Sequence, residues 1–106
     1  MTFDLKPLKL DNDDWLSECP YCEGNNLHQT DVTVYQRAED ASNVRVTHIM
    51  DTGTLTSATV ANHDSNNPSE RRSGMQVHFW CETCEHKPIM AIFQHKGTTF
   101  IGWEMK

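Results

Sequence analysis

The sequence predicts a mainly β domain of antiparallel strands closed around a single metal ion. Two observations point there. All four cysteines fall into two C-x-x-C pairs, Cys19-Pro20-Tyr21-Cys22 and Cys81-Glu82-Thr83-Cys84. The rest of the chain is a series of short alternating apolar and polar runs separated by turn residues, the period-2 pattern of half-buried strands. Two residues between cysteines let a tight turn aim both sulfurs at one point, and two such pairs complete a tetrahedral set. Cys19, Cys22, Cys81 and Cys84 are therefore the expected ligands of one structural Zn2+ per chain, or of iron in the same all-sulfur cage.

The elements follow in order. Residues 1–18 read as an acidic arm, in which Leu5, Leu8, Leu10, Trp15 and Leu16 are scattered among Asp4, Asp11, Asp13, Asp14 and Glu18. Pro7 interrupts any long helix there. After the first cysteine knuckle, residues 27–37 alternate Val32, Val34 and Gln36 against Thr33, Tyr35 and Arg37, a strand. A turn over 38–43 leads to residues 44–50, with Val44, Val46, His48 and Met50 against Arg45, Thr47 and Ile49. Asp51-Thr52-Gly53 is a hairpin signal, and residues 54–61, rich in Thr, Val and Leu, form the returning strand. Residues 62–74 hold turn formers and no large apolar side chain, so they read as a long polar surface loop.

The last third is a strand over 75–81, the second knuckle, a strand over 89–94, and a strand over 99–104. Lys96-Gly97 between the last two fits a type I turn with glycine at the left-handed position. Residues 19–106 thus read as one zinc-ribbon domain, with two knuckles, an inserted β-hairpin and a long polar loop, the insertion spanning about 38–74.

Composition bounds the rest. At 106 residues with 37% hydrophobic content, the chain has a thin core for its length. A structural metal then contributes folding free energy, on the order of 10 kcal/mol. The net charge of −6 resides in residues 1–40, which hold nine acids against three bases; residues 41–106 hold six of each. Nucleic-acid binding draws on Lys and Arg that neutralise phosphates, so such binding would have to come from a local patch. No apolar run reaches the length of a membrane span, and Met1-Thr2-Phe3-Asp4 has neither the basic nor the apolar stretch of a secretory signal. The expected location is the cytoplasm, with reduced cysteines.

Other thiol chemistry fits less well. A redox pair needs only one C-x-x-C and normally opens a helix. Here Cys22 runs into Glu23-Gly24-Asn25-Asn26 and Cys84 into Glu85-His86-Lys87-Pro88, which are turn sequences. C-x-x-C neighbours rarely form a stable disulfide with each other. Of the six histidines, none forms an H-x-x-x-H pair, and His86, two residues past Cys84, is the nearest substitute ligand. No nucleophile–base constellation or Gly-rich phosphate loop is visible, and Asp11, Asp13 and Asp14 lack the glycine and distal glutamate of a calcium loop.

Three segments, Asn67-Pro68-Ser69-Glu70-Arg71-Arg72-Ser73-Gly74, Phe79-Trp80-Cys81-Glu82-Thr83-Cys84 and Gln94-His95-Lys96-Gly97-Thr98-Thr99-Phe100, together with the first knuckle, resemble a group of small, functionally uncharacterised zinc-ribbon proteins of bacteria and phages. The resemblance covers residues 19–103. It implies a ribbon fold, one zinc on Cys19, Cys22, Cys81 and Cys84, a bacterial or phage setting, and no catalytic residue. The chain departs from the usual C-P-x-C-G knuckle. Gly24 sits one place late, and Glu85 stands where a glycine ordinarily adopts a left-handed backbone.

The expected function is that of a non-enzymatic zinc-ribbon module for protein interaction, a phage or bacterial modulator of a host complex. Its contacts would come from Asp11, Asp13, Asp14 and Trp15 of the arm and from Arg71 and Arg72 of the loop. Neither a membrane nor a small-molecule substrate is expected. The alternative is a nucleic-acid-binding zinc ribbon. It would use a basic patch around Arg71 and Arg72, joined by Arg45, Lys87 and Lys96, with Tyr35, Trp80 and Phe100 as stacking faces. A thiol-redox enzyme is the third reading.

Overall fold

The alternating runs become strands in a computed structural model that describes residues 5–8, 16 and 18–104. The strands are β1 (Leu5–Lys6), β2 (Leu27–Gln36), β3 (Asn43–Ile49), β4 (Leu55–Ala61), β5 (Gly74–Cys81), β6 (Ile89–His95) and β7 (Thr98–Glu104). They form one open sheet in the order β1-β7-β6-β5-β2-β3-β4, with every neighbouring pair antiparallel. The inserted hairpin β3–β4 therefore extends the main sheet through β2. β1 lies inside the stretch read as an arm, where two residues are too few to show an alternation. No helix among the described residues is long and apolar enough to cross a membrane.

Two hairpin turns show how local chemistry sets register. The β3–β4 loop closes with Met50 N–H on the Thr54 carbonyl, 2.8 Å, and Gly53 takes φ +89°. This is a three-residue loop with glycine at the left-handed position. β6 and β7 are joined by Lys96 and Gly97 alone, at φ +51° and +80°. Positive φ at both central residues makes this a type I′ turn, not the expected type I. The primed turn matches the twist of the strands it joins.

The register sorts side chains onto two faces. One carries Thr33, Tyr35, Val44, Gln76, Ala91 and Phe93, all buried. The 62–73 segment lies over this lidded face. Gln76 Nε2 donates to the Asn66 carbonyl at 3.2 Å, and Ser69, itself buried, donates to the Gln94 carbonyl at 3.4 Å. The polar loop of the sequence is thus a cover, held by its own Asx and serine turns. Asn67 Oδ1 accepts from Ser69 N–H, and Ser69 Oγ from Arg72 N–H, both at 3.0 Å. Beneath it Tyr35 donates to Gln76 Oε1 at 2.7 Å, and Gln76 donates to Glu104 Oε2 at 2.8 Å. Burial first, and then the charge of Glu104, push the Tyr35 phenol up to about 12.

Among the described residues, the fully buried apolar side chains of the opposite face lie near the knuckles, where Trp103 (1% exposed) meets Phe79 edge-on at 5.3 Å. Further along, Val34, Met75, Ile92 and Ile101 stand in register across β2, β5, β6 and β7. The first three are half-buried and Ile101 is 50% exposed. This part of the sheet is the open face.

Gly74 marks where the cover touches the sheet. A Cβ added there would lie 2.6 Å from Asn67 Oδ1 and 2.7 Å from Pro68 Cγ. Gly74→Ala is expected to lift the cover and to cost about 1–3 kcal/mol. Limited trypsin digestion should then cut faster after Arg71 and Arg72, while unchanged cleavage would mean that the segment does not rest on Gly74.

Candidate metal centre

Strand pairing brings the two knuckles together. β2 begins where β5 ends, with Leu27 opposite Cys81. Residues 19–24 before β2 and residues 81–86 after β5 therefore meet at one end of the sheet. The two knuckles share one backbone design. Cys19 N–H donates to the Gly24 carbonyl (3.0 Å) and Glu23 N–H to the Cys19 carbonyl (2.9 Å). Cys81 N–H likewise donates to the His86 carbonyl (2.9 Å) and Glu85 N–H to the Cys81 carbonyl (2.8 Å). Glu23 and Glu85 both sit at φ +62°. The left-handed position that glycine ordinarily fills is present in both knuckles and is occupied by glutamate.

The four sulfurs lie within 4.8 Å of one another, and all four cysteines are free of disulfides. Cys19 Sγ is 3.7 Å from Cys84 Sγ, and Cys22 Sγ is 3.6 Å from Cys81 Sγ. A tetrahedral all-sulfur site with metal–sulfur bonds of about 2.3 Å places its sulfurs about 3.8 Å apart. The spacing fits a single ion. Amides support the charge of the cage: Tyr21 N–H points at Cys19 Sγ and Gly24 N–H at Cys22 Sγ, both at 3.4 Å. In the second knuckle the Cys81 thiol is drawn down to about 6, first by the backbone N–H of Cys84. Burial and the neighbouring thiols push Cys22 upward and Cys84 up to about 12, so the clustered sulfurs do not all ionise on their own, and a cation among them would favour the thiolate forms.

Contacts between the knuckles reinforce the cage. Asn26 Nδ2 donates to Thr83 Oγ1 at 3.0 Å, and Glu82 N–H donates to the Asn26 carbonyl at 3.1 Å. Tyr21 stacks on His86, with ring centroids 4.3 Å apart and planes 8° from parallel. The histidine nearest the cage in sequence is thus a packing partner of the other knuckle and lies outside the sulfur cluster.

The other expected site residues are placed differently. Asp11, Asp13, Asp14 and Trp15 lie outside the described residues. Arg71 and Arg72 sit toward the opposite end of the β2–β5 pair from the knuckles, next to the 38–41 turn. Arg71 grips Asp40 with two bonds, 3.0 and 2.7 Å, and Arg72 reaches Glu39 at 3.1 Å. The Arg71 guanidinium holds the Asp40 carboxyl below its usual range. Arg71, Arg72 and Lys96 border one hollow of about 190 Å³, but Glu39 lines it too. Of the three expected stacking faces, Trp80 lies at the knuckle end of the sheet, tilted against His28 with ring centroids 5.8 Å apart. Tyr35 is buried and Phe100 stacks on Phe93 on the lidded face. Arg45 belongs to the other face, where it bonds Ser57.

A second cluster is invisible in the sequence. A β-bulge in β2 between Gln29 and Val32 turns Asp31 toward the lidded side. Asp31 Oδ2 lies 2.7 Å from His48 Nε2, and Thr33 Oγ1 lies 3.0 Å from His78 Nε2. The two imidazole centroids are 6.1 Å apart. Strand pairing, not spacing along the chain, assembles this group. Hydrogen bonds from Thr30 and then His48 hold the Asp31 carboxyl below its usual value. Desolvation pulls the His78 imidazole below its usual 6.5.

No family model, no curated protein and no solved structure matches this chain.

Two outcomes follow from this geometry. A left-handed backbone at a non-glycine residue costs about 1–2 kcal/mol, and glycine's extra chain entropy returns about 0.5–1 kcal/mol of that. Glu85→Gly is therefore expected to stabilise the metal-loaded protein by up to about 1 kcal/mol in urea unfolding, and Glu85→Val to destabilise it. For His78 the folded pKa is depressed, so its contribution is complete above pH 6.5 and is lost as pH falls below that. Between pH 7 and pH 5.5, His78→Gln should lose less stability than the parent chain; equal losses would remove the histidine from the acid response.

Proposed function

We propose that this chain is a non-enzymatic zinc-ribbon module, of phage or bacterial type and cytoplasmic, that presents a metal-anchored sheet to a protein partner. The observation that carries the reading is the register-matched row Val34, Met75, Ile92 and Ile101 on the open face. A row of this kind across four strands is an apolar surface that a partner would cover. The sulfur geometry supports a structural role for zinc, since four protein ligands complete its tetrahedron and leave no position for a substrate. The strand residues of the open face include Lys6 and Arg45 and no acid. The partner surface is accordingly apolar at its centre and acidic toward Arg45, and Asp11, Asp13, Asp14 and Trp15 are a further contact expected from the sequence alone. The ion pairs of Arg71 and Arg72 lend nothing to the nucleic-acid alternative, because phosphates would compete with Asp40 and Glu39 for both guanidiniums.

Paired variants test the reading. Ile92→Asp with Ile101→Asp should leave the zinc content and circular dichroism unchanged while abolishing capture of a specific protein from bacterial lysate. Capture that survives in the double variant would exclude the open face. Oligonucleotide binding that weakens steeply with salt and is lost with Arg71→Ala and Arg72→Ala would favour the alternative.

A further inference from the structure

The two edges of the sheet are built differently. β1 is two residues long, ends in Lys6 and is followed by Pro7. Short length, lysine and proline are the devices that stop an edge from recruiting another strand. β4 has none of them. It runs seven residues, Leu-Thr-Ser-Ala-Thr-Val-Ala, without charge or proline. Its register with β3 is unbroken from Asn43↔Ala61 to Ile49↔Leu55, and every residue from Leu55 to Val60 is exposed.

The hydrogen-bond phase fixes which backbone groups face outward. At the two ends of the β3–β4 hairpin, Asn62 N–H donates to the Ser42 carbonyl and Met50 N–H to the Thr54 carbonyl, each at 2.8 Å. Bonded and non-bonded pairs alternate along an antiparallel ladder. Val44↔Val60, Val46↔Ala58 and His48↔Thr56 are therefore the bonded pairs. The N–H and C=O groups of Leu55, Ser57, Thr59 and Ala61 point away from β3, along the free edge.

We propose that β4 pairs antiparallel with the β4 of a second copy of this chain, about a two-fold axis through Ala58. The register that overlaps all seven residues sets Leu55 opposite Ala61, Thr56 opposite Val60, Ser57 opposite Thr59, and Ala58 opposite itself. It joins outward-facing groups only to outward-facing groups. It also matches side chains by size. Leu55, 59% exposed, meets a small alanine, two hydroxyl residues face each other, and the closest approach falls between two alanines. Charge selects the same partner. The chain carries −6, which opposes self-association in general, yet residues 52–61 hold no ionised side chain. The flanking acids Asp51 and Asp64 lie outside the paired strand, one in the β3–β4 loop and the other in the 3-10 turn that follows β4. One strand pair buries less than the roughly 1,200 Å² of a stable specific interface, so dissociation in the micromolar range is expected. The inference uses none of the residues assigned to the protein partner and stands apart from that reading.

Analytical ultracentrifugation of the zinc-loaded full chain tests it. Raising the concentration from micromolar to millimolar should double the mass from 12.2 kDa. Thr59→Pro deletes an outward N–H without touching the β3 ladder and should remove the dimer while leaving the circular dichroism intact. A cysteine scan reads the register directly, even if the proline variant folds poorly. Under mild oxidation Ala58→Cys, on the axis, should form a disulfide-linked dimer about tenfold faster than Val60→Cys, whose opposite residue is Thr56. Mixing Thr56→Cys with Val60→Cys should restore the fast cross-link. A constant monomer mass, or equal cross-linking at positions 58 and 60, would overturn the proposal.

Discussion

The meeting of two cysteine knuckles from distant parts of the chain is the constraint on which the rest of this structure depends. Cys19 and Cys84 are 65 residues apart, and Cys22 and Cys81 are 59 apart. Between them lie β2, the whole β3–β4 hairpin, the cover segment and β5. One ion gripping four sulfurs would close that loop as a cross-link does, removing chain entropy worth about 4 kcal/mol from the unfolded state. The β2–β5 ladder and the cage then support each other. The ladder delivers Cys81 opposite Leu27, and a filled cage would keep the ladder's end from fraying.

Such an anchor would matter to the sheet because, among the described residues, neither face has a full second layer. On one side an irregular segment, rather than a helix or second sheet, covers Tyr35, Gln76 and Phe93, and it is held by side-chain turns of Asn67 and Ser69 and by the ion pairs of Arg71 and Arg72. On the other side apolar packing is concentrated around Trp103, close to Pro20 and Cys19. The burial is split between two thin clusters. A domain built this way leaves apolar rows and a free edge available to other chains, and a rigid end is what keeps such surfaces in register.

Much of this was legible in the sequence. Each of the six longer strands begins and ends within one residue of its expected bounds, because alternation and turn chemistry are local signals. The convergence of Cys19, Cys22, Cys81 and Cys84 was legible because C-x-x-C fixes the reach of its sulfurs. What failed to show was long-range. β1 is too short to carry a period. The polar face of β5, with Gln76, turned out to be the lidded one, since Gln76 is satisfied by Tyr35, Asn66 and Glu104 rather than by water. Asp31, His48 and His78 meet only through a bulge and two strand pairings. The pairing of Arg71 and Arg72 with Asp40 and Glu39 depends on where the cover segment lands. Glu23 and Glu85 keep a left-handed turn that the absence of glycine argued against, because the paired backbone bonds of each knuckle enforce it.

Metal content and thermal unfolding, read on the same sample before and after chelation, address the anchor directly. The expected result is one zinc per chain in the purified protein, and loss of the cooperative transition once a chelator removes it. A chain that keeps its full transition after chelation, or that holds its sulfurs as disulfides with no ion, would contradict the role given to the four cysteines.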